Sequence, residues 1–78
     1  MTEQKLADIA VGGKGTVLGF VSGGDTYRRK LLAMGLMKGV EFEVKRVAPL
    51  GDPVEILVRG YNLSLRKAEA NSLRVEAK

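Results

Sequence analysis

Apolar positions change their period along the chain, and each change marks an element. In the opening, Met1 to Ala10, Leu6 and Ile9 stand at helical spacing among polar residues and predict a short helical turn that docks two side chains. Gly12, Gly13 and Gly15 surround Lys14, Thr16 to Val21 reads as a first strand, and Ser22, Gly23 and Gly24 close it. Tyr27, Leu31 and Met34 then make one apolar stripe with Leu32 at its edge, which predicts a helix from about Thr26 to Met34. Asp25 or Thr26 can cap its first turn. Gly35 suits a left-handed C-cap, and Leu36 is placed to pack back on Leu31.

From Val40 the period becomes two. Val40, Phe42 and Val44 alternate with Glu41, Glu43 and Lys45, the pattern of a half-buried strand. In the following APLGDP, Pro49 suits position i+1 and Gly51 position i+3 of a type I turn, so a hairpin is expected. Val54, Ile56 and Val58 alternate with Glu55, Leu57 and Arg59, and Gly60 permits a second reversal. Tyr61, Leu63 and Leu65 then face inward, opposite Asn62, Ser64 and Arg66. A short helix over roughly Lys67 to Asn71 and a last strand at Leu73 and Val75 complete the series. About five short strands with two small helices point to a mainly β fold, a closed or nearly closed small barrel in which closure removes exposed edges.

Length and composition narrow the function. A mass of 8.4 kDa suits one domain over residues 1–78. It implies about 4,600 Å² of folded surface, with roughly 62% of the chain's surface buried, enough for a thin core without a deep substrate cavity. The chain has no Cys, which removes disulfides, thiolate chemistry and Cys-based zinc sites, and no His, which removes the commonest general base. No enzyme activity and no intrinsic cofactor are expected. Thirteen Lys+Arg against 9 Asp+Glu leave a net +4, which suits a nucleic acid, an acidic protein face or an anionic membrane without choosing among them. Apolar runs are only a few residues long, so no bilayer span or signal-peptide core is visible, and an intracellular chain is expected.

Several clusters could carry chemistry. Glu41, Glu43 and Glu55 are expected on one solvent face beside Lys45, either as oxygen ligands for a divalent cation or as a solvated face with cross-strand charge pairs. The glycines around Lys14 imitate a phosphate cradle but lack Walker A spacing, and GKGTV also looks like the start of small nucleic-acid-binding barrels. Against a nucleic-acid ligand, the aromatics number four, and Phe42 and Tyr61 are expected in the core. Arg28, Arg29 and Lys30 lie in or beside the first helical turn, where the macrodipole disfavours cations by about 0.3–1 kcal/mol each. Either their stems cover apolar surface near Tyr27, or the cluster faces an anionic partner. Arg59 and Arg66, on outward strand positions, extend such a patch, and Leu50 at a turn tip and Leu57 on an outer face add apolar surface. An interface of about 800 Å² per partner would take roughly a sixth of the domain.

The helix and strand RRKLLAMGLMKGVEFEV, the turn APLGDP and the strand pair VEILVRGYNLSLRKAEA resemble ferrous iron transport protein A, FeoA, in order and spacing from Leu6 to Glu76. The resemblance implies an SH3-like β-barrel with an inserted helical segment, similar to the C-terminal module of diphtheria-toxin-type metal-dependent repressors. It implies a cytoplasmic accessory of bacterial ferrous iron uptake, whose partner is the cytoplasmic GTP-binding part of the FeoB transporter. Membrane association would come only through that partner, and Fe(2+) transport would be linked to the chain in the same way. The family's transition-metal-binding label sits poorly with a chain lacking His and Cys. The expected partner contacts are Arg28, Arg29, Leu50, Arg59 and Arg66, with a KOW-like nucleic-acid module or a weak divalent-metal module as alternatives. The edge left between Arg28 and Arg59 by barrel closure is the first place to look.

Overall fold

In a computed structural model that describes residues 3–21 and 25–78, six antiparallel strands form one sheet in the order β1-β6-β2-β3-β4-β5. They are β1 (Glu3–Lys5), β2 (Lys14–Phe20), β3 (Glu41–Val47), β4 (Val54–Val58), β5 (Tyr61–Leu65) and β6 (Leu73–Ala77). A 3-10 turn at Leu6–Asp8 follows β1, α1 spans Asp25–Ala33, and α2 spans Lys67–Asn71. The expected helical opening is thus one turn preceded by a strand that the polar sequence Glu3–Lys5 did not announce. Leu6 and Ile9 are buried as expected.

A flat sheet of six strands at about 4.8 Å spacing would be far wider than it is thick. The domain instead measures 26 × 25 × 23 Å, because the sheet coils around its own core. Two register shifts, between Val17 and Gly19 and between Val44 and Arg46, add local twist. Closure is incomplete among the described residues: β1 pairs only with β6 and β5 only with β4. The core gathers Leu6, Val17, Leu31, Leu36, Val44, Ile56, Leu65, Leu73 and Val75, all inaccessible to water.

Gly15 shows how tightly the strands cross. A Cβ there would meet the Glu76 carbonyl oxygen at 2.6 Å and the Phe42 ring at 2.9 Å. Neither neighbour is the loose end of a flexible chain, so only glycine lets β6 and Phe42 approach.

The helix stop is read correctly from the sequence. Gly35 has φ 94°, the Leu36 N–H donates to the Leu31 carbonyl (3.0 Å), and the Gly35 N–H donates to the Leu32 carbonyl (3.0 Å). That is a Schellman motif, and it turns Leu36 into the core. At the other end α1 already includes Asp25, so Thr26 lies inside the first turn instead of capping it. The expected turn at Ser22, Gly23 and Gly24, and the Asp25 side chain, fall outside the described residues. The β3–β4 turn closes as expected, with the Gly51 N–H donating to the Ala48 carbonyl at 2.7 Å.

Two strand assignments are corrected. Arg59 is not on a strand: with φ 53°, followed by Gly60 at φ 83°, it opens a two-residue turn of type I′ between β4 and β5. Arg66 likewise lies just beyond β5, as the residue preceding α2. Tyr61 alternates inward but is 73% exposed, because the hairpin tip overruns the core and nothing covers it there.

Two substitutions test this account. Gly15→Ala should cost about 1–3 kcal/mol by overpacking, seen in chemical denaturation. Arg59→Asn should stabilise by about 1 kcal/mol in the same assay, because asparagine accepts the left-handed conformation that arginine resists.

Candidate partner-binding surface

The outer sheet face is built from charge pairs. Lys14 lies across from Glu43, and Arg46 lies across from Glu55, in the strand register. Lys45 approaches Glu43 at 3.6 Å, Lys78 bonds Glu41, and Arg74 grips Glu3 through two contacts at 2.7 and 3.1 Å. The hydrogen bond from Arg74 holds the Glu3 carboxyl below its usual range, and the bond from Lys78 does the same for Glu41. Among the described residues no three carboxylates converge as a metal would require. Of the three residues Glu41, Glu43 and Glu55, Glu43 pairs with Lys45 on its own strand, Glu41 pairs with Lys78, and Glu55 has Arg46 as its cross-strand neighbour. The phosphate cradle also fails on geometry, since the Gly12 N–H donates to the Val44 carbonyl and the Gly13 N–H to the Ala10 carbonyl.

The α1 cations divide. Lys30 is a structural residue: its Nζ lies 2.6 Å from Oε2 of Glu69, which is 3% exposed. The other oxygen of Glu69 accepts the Arg66 backbone N–H at 2.9 Å, so one carboxylate ties α1 to the start of α2. The Lys30 hydrogen bond lowers the Glu69 pKa against the opposing effect of burial, with the Arg66 N–H helping. The Arg28 guanidinium lies 6.0 Å from the centre of the Phe20 ring, at the limit of a cation–π contact. Arg28 is otherwise exposed, and the ring it approaches is Phe20, where Tyr27 was expected. Arg29 is exposed.

The five expected contact residues are spread over four segments of the fold. Arg28 and Arg29 are on α1, and Leu50, 88% exposed, caps the β3–β4 turn. Arg59 and Arg66 sit at opposite ends of β5, separated by five strand residues. Leu57 is half-buried on β4. What sequence reasoning missed is the concave side of β5. There a groove of about 330 Å³ is lined by Ala33, Met34, Val58, Arg59, Tyr61 and Leu63. A neighbouring one of about 440 Å³ brings together Lys30, Asp52, Ser64, Arg66 and Glu69. The unpaired position of β5 was the missing signal, and strand order is not written in periodicity. Of the four aromatics, Phe42 is in the core, Phe20 and Tyr27 are partly buried against it, and Tyr61 is exposed where burial was expected.

Stability should decline as pH falls below the ordinary glutamate value of 4.5, because Glu69 has a lowered pKa and contributes fully only above the unfolded value. Glu69→Gln should cost about 1–2 kcal/mol at neutral pH, discounted for the exposed Lys30 end, and flatten that acid dependence in denaturation curves.

Comparison with known proteins agrees with this architecture. The FeoA domain matches residues 4–77. A relative 33% identical over 72 residues is the Fe(2+) transport protein A/Fe(2+) transporter FeoB fusion protein of Porphyromonas gingivalis; the match takes in 92% of this chain, which spans 8% of that relative's length. The NMR structure of a FeoA-like protein from Clostridium acetobutylicum, 40% identical, superposes with a TM-score of 0.87 over 97% of this chain and 88% of that one. FeoA of Stenotrophomonas maltophilia, crystallised with zinc and described as a prokaryotic SH3 domain protein, is 24% identical. It matches at a TM-score of 0.79 over 94% of this chain and 89% of its own, and at that identity speaks for the fold. No helix among the described residues is long and apolar enough to cross a membrane. With strand order, helix placement and a match over nearly its whole length, the chain belongs to the FeoA domain family and has its SH3-like fold.

Proposed function

We propose that this chain is a non-enzymatic docking module of ferrous iron uptake, cytoplasmic and held at the membrane by binding the cytoplasmic, G-protein-containing part of a FeoB-type transporter. One observation carries the reading: in the Porphyromonas gingivalis relative, the matching segment and FeoB share one polypeptide. Fusion keeps two modules at high effective concentration, which favours chains that act in contact. The chain's own chemistry agrees, since no imidazole or thiol is present to hold iron or activate a nucleophile. Iron is the transporter's cargo on this reading, and the module supplies surface. Arg28 and Arg29 on α1, with Leu50, Arg59 and Arg66, are the contacts proposed for it.

The test is titration calorimetry of the chain against the isolated cytoplasmic domain of the cognate transporter, at physiological salt. Saturable binding is expected. Arg28→Glu combined with Arg29→Glu should weaken it by roughly 1–2 kcal/mol, about tenfold, with the thermal midpoint unchanged. Unchanged affinity would remove α1 from the contact.

A further inference from the structure

The edge of β5 holds hydrogen-bonding groups that the fold does not use. The type I′ turn sets the phase of the β4–β5 ladder: Val58 and Tyr61 exchange both backbone bonds, and Ile56 with Leu63 and Val54 with Leu65 repeat that arrangement. The backbone N–H and C=O of Asn62 and Ser64 therefore point away from β4. Both residues are exposed, and among the described residues neither has another backbone partner. An edge of this kind is a template for one more strand.

Facing this edge, α1 supplies a second wall. Met34 and Leu63 are partly buried against the core and flank the mouth of the groove, with Tyr61 open beside them. Arg59 stands at one end of β5 and Arg66 at the other, and neither has a salt-bridge partner among the described residues. The carboxylates nearby are engaged: Glu69 holds Lys30, and Asp52 accepts the Lys67 backbone N–H at 3.2 Å. Arg59 also occupies a left-handed position that an asparagine would fill with less strain.

We propose that the β5 edge and α1 form a cleft that receives an extended segment of the transporter's cytoplasmic part as an added strand. The segment is apolar where it faces Met34 and Leu63, and acidic toward both ends, where it meets Arg59 and Arg66. Backbone bonds to Asn62 and Ser64 would give affinity, while the inward side chain and the end charges would give register. A second copy of this chain is a poor occupant. Pairing two β5 edges antiparallel with Asn62 opposite Ser64 of the other copy brings the end that holds Arg59 beside that copy's Arg66 and Lys67, and like charges repel.

This inference rests on the transporter reading, and its test separates the two. Amide hydrogen exchange of the labelled chain is measured alone and with a saturating amount of the cognate transporter's cytoplasmic domain, alongside calorimetry. Exchange at Asn62 and Ser64 should slow by at least about tenfold in the complex, as expected for newly bonded edge amides. Asn62→Pro removes one outward N–H at an edge position where proline is tolerated, and should weaken binding about tenfold or more. Should that variant misfold, Arg59→Asn with Arg66→Gln tests the ends: it keeps the turn, and binding should fall about tenfold and lose salt dependence. Binding at full affinity with unprotected Asn62 and Ser64 overturns the cleft and leaves the transporter reading standing. No binding to the domain at all overturns both. Protection that grows with the concentration of the chain alone would overturn it in favour of self-association.

Discussion

The position of β6 is the constraint on which the other elements depend. It runs between β1 and β2, so Val75 pairs with both Gln4 and Val17. A chain this small has one thin core, and Leu73 and Val75 are inaccessible because their side chains face that core, with Leu6, Leu31, Leu36 and Ala70 in the same cluster. The same arrangement carries α2 against the 3-10 turn, where Leu6 and Ala70 are buried. Among the described residues the sheet then ends at β1 on the β6 side and at β5 on the other, and each is an edge strand.

Glu69 then fixes how the helices meet the sheet. A nearly buried carboxylate is costly unless its oxygens are bonded, and here Lys30 from α1 takes one and the Arg66 N–H takes the other. The pair draws on residues 39 apart in sequence and holds α1 near the end of β5. The groove beside Tyr61 exists because α1 is anchored at Lys30 and ends at Ala33, leaving Met34 and Gly35 to line its wall.

Charge is sorted by place. Glu3, Glu41, Glu43 and Glu69 bind Arg74, Lys78, Lys45 and Lys30. The cations of β5's two ends are left outside those pairs. Four of the nine carboxylates are paired in this way, and with a net charge of +4 the chain keeps cationic side chains outside those pairs, a surface that attracts acidic groups.

Local physics decided much of this protein from the sequence alone. Period two over Val40–Val44 and Val54–Val58, the Gly35 stop and the APLGDP turn each depend on neighbours a few residues away, and each appears where the pattern puts it. The bounds of α2 and the burial of Leu6 and Ile9 were legible for the same reason. Strand order was not, because pairing energy depends on partners distant in sequence, and the polar β1 carries no apolar alternation. Tyr61 reads as core by alternation, yet a residue is buried only if another layer lies over it, and the sheet's coiling leaves the hairpin tip uncovered. Arg59 and Arg66 read as strand residues because periodicity cannot register a two-residue turn or the last step before a helix. Their placement at the two ends of an open edge comes from tertiary structure, since an edge is defined by the strand that is missing beside it.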